Sequence, residues 1–310
     1  MTLLFFELAL GLVLLLAGAD LIVRGGAQFA LVMRIPAIVV GLTIVAFGTS
    51  APELLVSLTA ANKGNTEVAF ANVNGSNIAN VFLVLGVASL VRPLNVDRTL
   101  LRREIPVCLL LQILVPFVAW DGLISRGDGA LLFSLCLFYN GWLFYEAYRG
   151  RSAALEDVPE EEGGGAARHL SILLLGLLVL VAGARLFVHG ALDLALMLEW
   201  SDRWIGLTVL ALGTSLPEVA TGVVSAYRNE SDLAVGNSLG SNILNISMVL
   251  GLTAIVAPIS FVEQAVWTDM KVAFLATLVL IPVTTRGQLQ RGPGAVLVGL
   301  YFAFLFLSAG

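Results

Sequence analysis

Long apolar stretches, separated by short polar connections, run along almost the whole chain. Each is close to the roughly 20 residues that a helix needs to cross a hydrocarbon core of about 30 Å. An open strand would leave backbone groups unpaired in lipid, so we interpret the stretches as helices. The pattern predicts an all-α integral membrane protein with ten transmembrane helices, at about residues 3–23, 37–61, 68–91, 104–120, 128–148, 169–189, 203–226, 233–256, 265–285 and 293–309.

One long polar interruption divides these helices into two groups of five. Residues 149–168 contain five acidic side chains followed by three consecutive glycines, a composition typical of a flexible linker. The predicted organisation is a first five-helix unit at 1–148, a cytoplasmic linker at 149–168 and a second five-helix unit at 169–310.

Composition excludes a soluble globular protein. The 310 residues are 58% apolar and 13% charged, with a mean hydropathy of +0.93, whereas a soluble domain is about half apolar and about a quarter charged. A net charge of -5 offers no basic surface for nucleic acid. Cys108 and Cys136 lie in apolar runs without metal-ligand spacing, and we interpret them as packing residues.

Basic side chains are concentrated in alternate connections. The odd-numbered connections hold twelve arginines, whereas the even-numbered connections and the adjoining helix ends hold four basic residues. Because basic residues are enriched on the cytoplasmic side of membrane proteins, the odd-numbered connections are predicted to be cytoplasmic. Both termini are then predicted to lie outside.

The second half of the chain repeats the first at a fixed offset of 165 residues. The segment GTSAPE at 48–53 matches GTSLPE at 213–218, and GSNIAN at 75–80 matches GSNILN at 240–245. Five helices is an odd number, so the second unit enters the membrane from the opposite face. The sequence therefore predicts two inverted five-helix repeats, a layout that places an ion site at the midplane between them.

A carboxylate inside a span is kept at the same place in both repeats, as Glu53 in the first and Glu218 in the second. Repeated small residues could reflect close helix packing alone. An ionisable side chain at this depth, however, costs about 3 kcal/mol or more unless something compensates it. The paired glutamates are therefore predicted to mark an ion path.

Proline precedes each glutamate and should break the helix beside it. Pro52 has no N–H to donate to the carbonyl of Gly48, and Pro217 stands in the same relation to Gly213. The breaks leave backbone carbonyls free near mid-membrane depth.

Amide and hydroxyl side chains recur every four residues and form one polar stripe in each repeat. The stripes are Asn72, Ser76 and Asn80 in the first repeat and Asn237, Ser241 and Asn245 in the second. Carboxylates and neutral oxygens suit a hard cation such as Ca²⁺, which takes about six to eight oxygen ligands. No pair of histidines or cysteines has the spacing of a zinc site, and no cleft for an organic substrate is evident, so an enzyme is not expected.

The duplicated motifs resemble the alpha repeats of the Na⁺/Ca²⁺ exchangers of the cation/Ca²⁺ exchanger superfamily, with alpha-repeat regions at 41–90 and 206–255. The resemblance implies a secondary antiporter that exchanges Na⁺ for Ca²⁺ by alternating access. It implies that the protein needs no cofactor and no obligate protein partner. It also implies that the protein lies in the lipid bilayer of a prokaryotic cell (inner) membrane.

The resemblance also implies a role for each matching residue. Glu53 and Glu218 match the carboxylates that ligate Ca²⁺, and Thr49 and Thr214 match threonines whose carbonyls complete that site. Asn80 and Asn245 match the remaining polar pair at the centre. The positions around the flanking Na⁺ sites are Ala46, Ser50, Ser76, Ala211, Ser215 and Ser241.

Two alternatives remain open at this stage. The H⁺/Ca²⁺ branch of the superfamily has Gly-Asn-x-x-Glu where this chain has Gly-Thr-Ser-x-Pro-Glu, which favours Na⁺ but leaves proton-coupled exchange of Ca²⁺ or another divalent cation as an alternative. A cation channel lined by the same oxygens is the other.

Many relatives carry Asp at the place of Asn245, and we expect the absence of this aspartate to weaken any K⁺-assisted mode.

One further pair of charges occupies equivalent places in the two repeats. Asp20 and Arg185 lie in the first and sixth predicted helices. They could pair across the repeats as a latch, or each could extend to the lipid headgroups from near a helix end.

Overall fold

A computed structural model describes residues 2–97, 100–151, 165–198, 211–260, 264–284 and 287–309. The first repeat contains α1 Thr2–Met33, α2 Ala37–Thr49, α3 Ala51–Asn62, α4 Thr66–Val91, α5 Ile105–Val118 and α6 Arg126–Arg151. The second contains α7 Ala166–Met197, α8 Ala211–Thr214, α9 Leu216–Tyr227, α10 Ser231–Val256, α11 Gln264–Thr284 and α12 Arg291–Ala309. Wider π-helical turns occur at Gly41–Val45 within α2, Asn80–Val84 within α4, Leu100–Glu104 before α5 and Asn245–Leu250 within α10.

The described helices lie at the positions of the ten predicted spans, and up to eight of them are spans by length and composition. Seven described helices, namely α1, α4, α6, α7, α10, α11 and α12, are long and apolar enough to cross a membrane. The pair α2 and α3 forms an eighth span with a bend of 41°. The other two spans are α5 with its preceding π-helical turn, and α8 with α9. Residues 152–164 of the predicted linker and 203–210, which include the start of the second alpha-repeat region, lie outside the described residues.

Glycines bring α1 and α7 into close antiparallel contact. A Cβ added at Gly18 would lie 2.4 Å from the backbone nitrogen of Leu180, and one at Gly183 would lie 2.5 Å from that of Leu15. Small residues allow helix backbones to approach this closely in a membrane. Gly18 and Gly183 are equivalent positions of the two repeats, so the contact is symmetric about a pseudo-twofold axis.

Two short sheets show the same symmetry. Strand β1 Leu94–Asn95 pairs antiparallel with β4 Gln288–Leu289, and β2 Leu123–Ile124 pairs with β3 Ile259–Ser260. β1 and β3 are equivalent in the repeats, as are β2 and β4. Because the span containing α5 separates β1 from β2, the two sheets lie at opposite faces of the membrane. The repeats are therefore inverted, as predicted.

The centre of the molecule is formed by α4 and α10. In each, 83% of the apolar window is buried, compared with 17% to 33% in the other five long spans. The π-helical turns in these helices begin at Asn80 and Asn245, which are equivalent residues. The two most enclosed helices therefore carry the polar stripes that the sequence predicts.

Candidate cation site

Each repeat places its glutamate just after a helix break. The first break lies at Ser50, between α2 and α3, and Glu53 occupies the first turn of α3. The second lies at Ser215, between α8 and α9, and Glu218 occupies the first turn of α9. Proline stands in the first turn of both following helices, where its missing N–H is tolerated. The breaks confirm the prediction made from Pro52 and Pro217.

Both carboxylates are enclosed and interact with each other. Glu53 is 0% exposed and Glu218 is 1% exposed, and two carboxylate charges enclosed in one site repel each other. The positive end of each helix dipole favours a carboxylate in the first turn. In the part of the chain that the structure describes, no basic side chain pairs with either glutamate. A cation between them would relieve this repulsion.

Hydroxyl groups surround the glutamates. Ser76 Oγ donates to Glu53 Oε1 at 3.3 Å. Thr49 and Ser241 lie beside Glu218, but the Thr49 hydroxyl donates to Asn237 Oδ1 at 3.0 Å. The first repeat's threonine therefore contacts the second repeat's stripe.

The two central asparagines are held in matching ways. Asn80 Nδ2 donates to Asn242 Oδ1 at 3.0 Å, and Asn245 Nδ2 donates to Asn77 Oδ1 at 3.1 Å. These bonds are equivalent across the pseudo-twofold axis. They use the donors of Asn80 and Asn245 and leave the Oδ1 atom of each without a partner among the described residues.

Unpartnered buried oxygens recur at equivalent positions of the two repeats. A buried polar atom without a partner is costly, and six side chains at the site nevertheless contain an unpartnered oxygen. Within the described ranges, these oxygens are Ser50 Oγ, Ser215 Oγ, Glu53 Oε2, both Glu218 carboxylate oxygens, Asn80 Oδ1 and Asn245 Oδ1. Oxygens are the ligand atoms of hard cations, although the Nδ2 atoms of Asn77 and Asn237 also have no partner there.

The other predicted ligand positions differ in how deeply they are buried. Ala46 and Ser241 are fully buried and Ser76 is nearly so. Thr214 is half-buried, unlike its equivalent Thr49. Ala211 begins α8. The roles of these residues remain predictions.

Sequence reasoning did not assign a role to Asn77 and Asn242. Both lie inside the duplicated GSNIxN motif, and both are at most 1% exposed. Their repetition beside the central asparagines is the sequence feature that could have identified them as part of the site. Ser238, whose hydroxyl donates to the Asn80 carbonyl at 2.7 Å, was also missed.

Helix α2 approaches α10 closely at a glycine of the second repeat. A Cβ at Gly240 would lie 2.6 Å from the carbonyl oxygen of Leu42 in α2. A Cβ at the equivalent Gly75 meets no heavy atom within 4 Å in the described part of the chain. Helix α2 therefore packs closely against α10 at Gly240. Residue 207, which is equivalent to Leu42 in the second repeat, lies outside the described residues.

Of the two alternatives for Asp20 and Arg185, the pairing of these residues with each other is wrong. Asp20 binds Arg24 and Arg228 instead. Arg185 is exposed and pairs with no residue in the described ranges. In the antiparallel contact, Arg185 lies opposite a residue two positions before Leu15 rather than opposite Asp20.

His189, for which the sequence indicates no partner, lies near two acidic side chains. Its Nδ1 atom is 3.2 Å from Glu7 Oε2 and 3.7 Å from Asp193 Oδ2. The group is at the surface, with His189 66% exposed, and a surface hydrogen bond between His189 and Glu7 accounts for it.

Comparisons with known proteins agree with this architecture. The family model described as "Sodium/calcium exchanger protein" matches residues 3–145 and 168–310. The chain is 33% identical over 339 residues to the sodium/calcium exchanger MaX1 of Methanosarcina acetivorans, covering 97% of each chain. It is 26% identical over 282 residues to the Ca²⁺/H⁺ antiporter ChaA of Bacillus subtilis, covering 84% of this chain and 80% of that protein. A solved structure of the sodium-calcium exchanger NCX_Mj, soaked with 10 mM Na⁺ and zero Ca²⁺, superposes with a TM-score of 0.85 at 32% identity and covers 98% of both chains.

Proposed function

Because the chain belongs to the sodium/calcium exchanger protein family, we propose that it is a secondary antiporter that exchanges Na⁺ for Ca²⁺ across the membrane by alternating access. The observation that carries the proposal is the set of unpartnered buried oxygens, repeated in both halves around Glu53 and Glu218. Cation/Ca²⁺ antiport is the function common to the relatives described above. Na⁺ as the counter-ion is the finer part of the proposal.

Ca²⁺ binds between the two glutamates, whose charges balance its own. The carbonyls of Thr49 and Thr214 complete the coordination, and the Oδ1 atoms of Asn80 and Asn245 face the same centre. Na⁺ ions occupy flanking positions formed by Ala46, Ser50 and Ser76 and, in the second repeat, by Ala211, Ser215 and Ser241. The glutamates serve both ions, so Na⁺ and Ca²⁺ compete.

Competition of this kind couples the two fluxes. An empty site carries two uncompensated charges in a low-dielectric centre, which resists the change of access. Occupancy by Ca²⁺ or by Na⁺ removes that obstacle. If unequal charge moves in the two directions, transport responds to voltage by about 2.3 kcal/mol per charge per 100 mV.

The bias of basic residues toward the odd-numbered connections supports a cytoplasmic location for those connections and outward-facing termini. The chain then lies in a prokaryotic inner membrane, where Na⁺ moving inward drives Ca²⁺ outward. The ions are the substrates, and the transport cycle uses no cofactor or protein partner.

Proton coupling is the second candidate. Two buried carboxylates without basic partners can carry protons as well as cations, and one relative is named as a Ca²⁺/H⁺ antiporter. A channel is less favoured because inverted repeats suit alternating access.

Uptake of radiolabelled Ca²⁺ into Na⁺-loaded proteoliposomes tests the counter-ion. We expect uptake to require an outward Na⁺ gradient and not to be driven by a pH gradient alone. Uptake driven by pH in Na⁺-free vesicles would overturn Na⁺ coupling in favour of protons. Uptake indifferent to both gradients would overturn antiport in favour of a channel.

A further inference from the structure

One ion-pair cluster joins helices that belong to different repeats. Asp20, in α1, binds the guanidinium of Arg228, which directly follows α9, and its other oxygen lies 2.9 Å from Arg24 Nη2. Asp20 is 30% exposed and Arg228 is 31% exposed. We call Asp20, Arg24 and Arg228 the Asp20 cluster.

The cluster lies where the structure departs from its own symmetry. Helix α1 packs against α9, whereas α7 makes no comparable contact with the equivalent α3 among the described residues. The structure is therefore one of two arrangements that the inverted repeat allows.

In the exchanged arrangement, α7 packs against α3 as α1 now packs against α9. The residue equivalent to Asp20 is Arg185, and the residue equivalent to Arg228 is Lys63. Two like charges would meet where the present arrangement has an ion pair. The acidic residues nearest Arg185 along that surface, Glu7 and Asp193, lie about two helical turns further on, beside His189.

We propose that the Asp20 cluster is a latch that favours the arrangement seen here over the exchanged one, an inference that rests on alternating access between the repeats. The bias comes from sequence asymmetry at a structurally symmetric contact. A partly exposed pair is worth little alone, but the cluster stabilises one arrangement while the equivalent residues destabilise the other. We expect its loss to shift the ratio of the two arrangements by roughly twofold to tenfold.

Spin labels on α3 and α7 measure this ratio without any transport. The labels are attached at Asn62→Cys and Leu196→Cys, both at exposed positions, in a chain with Cys108→Ala and Cys136→Ala, reconstituted in lipid nanodiscs. Pulsed electron resonance then resolves a long distance for the present arrangement and a short one for the exchanged arrangement. Arg228→Gln is expected to increase the short-distance population. Arg126→Gln, which removes an exposed charge far from the cluster, is the matched control.

A second variant tests the symmetry argument itself. Arg185→Asp places an acid opposite Lys63 in the exchanged arrangement, so it should also increase the short-distance population. Adding Lys63→Gln should cancel that gain. Unchanged distance distributions for Arg228→Gln and Arg185→Asp, or changes no larger than those of the control, would overturn the latch.

Transport supplies an independent readout. In oriented vesicles, Arg228→Gln should change the KM for Ca²⁺ in opposite directions at the two membrane faces, whereas general damage changes both in the same direction. A shift in spin-label distances in a protein that shows no Na⁺-driven flux would support the latch and refute the proposed counter-ion. Normal Na⁺-driven flux with unaltered spin-label distances would support Na⁺ as the counter-ion and refute the latch.

Discussion

Replacing either central glutamate with glutamine is expected to reduce Na⁺-driven Ca²⁺ uptake at least roughly a hundredfold. At an effective dielectric constant near 20, two unit charges 4 Å apart interact by about 4 kcal/mol. A carboxylate and a divalent cation at that distance interact about twice as strongly, by about 8 kcal/mol, so removing the carboxylate lowers affinity by up to about a millionfold before any compensation. Glutamine keeps the shape and one oxygen of Glu53 or Glu218, so the loss isolates the charge.

The measurement is uptake of radiolabelled Ca²⁺ into proteoliposomes, together with Ca²⁺ titration of the purified protein. Glu67→Gln, in the first turn of α4, is the matched control and should retain uptake. Thermal unfolding should show that the Glu53→Gln and Glu218→Gln variants remain folded, since each removes a buried repulsive charge. Uptake within a few fold of the unaltered protein in either variant would refute the proposed site.

The features that the sequence could predict are those determined by local chemistry and by repetition. Pro52 has no N–H to donate to the carbonyl of Gly48 in any surroundings, so the break at Ser50 follows from this local segment alone. The fixed offset between Glu53 and Glu218 then requires an inverted pair of breaks once each repeat has an odd number of spans. Neither inference depends on how side chains pack.

Contacts between distant side chains could not be predicted in the same way. Equivalence in the repeat suggests that Asp20 and Arg185 meet, but equivalent residues meet only at the pseudo-twofold axis. Because Leu15 lies against Gly183, Asp20 and Arg185 are displaced by about seven residues, or about 10 Å along the helices. The true partner, Arg228, depends on how far α1 has moved against α9. The repeat pattern alone is compatible with both arrangements, so it does not identify Arg228 as the partner of Asp20.

The hydrogen bonds of the central amides illustrate the same limit. Asn77 and Asn242 are visible in the repeated motif, but an amide can donate or accept, and only the packing of α4 against α10 assigns these roles. In the structure, Asn242 accepts from Asn80 and Asn77 accepts from Asn245. That assignment leaves the Oδ1 atoms of Asn80 and Asn245 without a partner among the described residues.

Leucine in place of Gly18 or Gly183 is expected to destabilise the protein by about 3 kcal/mol or more, which is in the upper range for single substitutions. At both positions the obstacle to a side chain is the backbone of the opposite helix, at 2.4 Å and 2.5 Å from the added Cβ. A backbone cannot rotate away as a flexible side chain can, so α1 and α7 must separate. Without a hydrophobic effect between helices in lipid, this separation loses the packing that holds the pair together.

Thermal unfolding and the yield of monodisperse protein measure the effect. Gly141→Leu is the matched control, because a Cβ at Gly141 meets no atom within 4 Å among the described residues, and it should change stability by less than about 0.5 kcal/mol. If Gly18→Leu and Gly183→Leu unfolded at the same temperature as Gly141→Leu, the close contact of α1 with α7 would be wrong. The latch would then lose its basis as well, because Asp20 reaches Arg228 only from a helix held in this position.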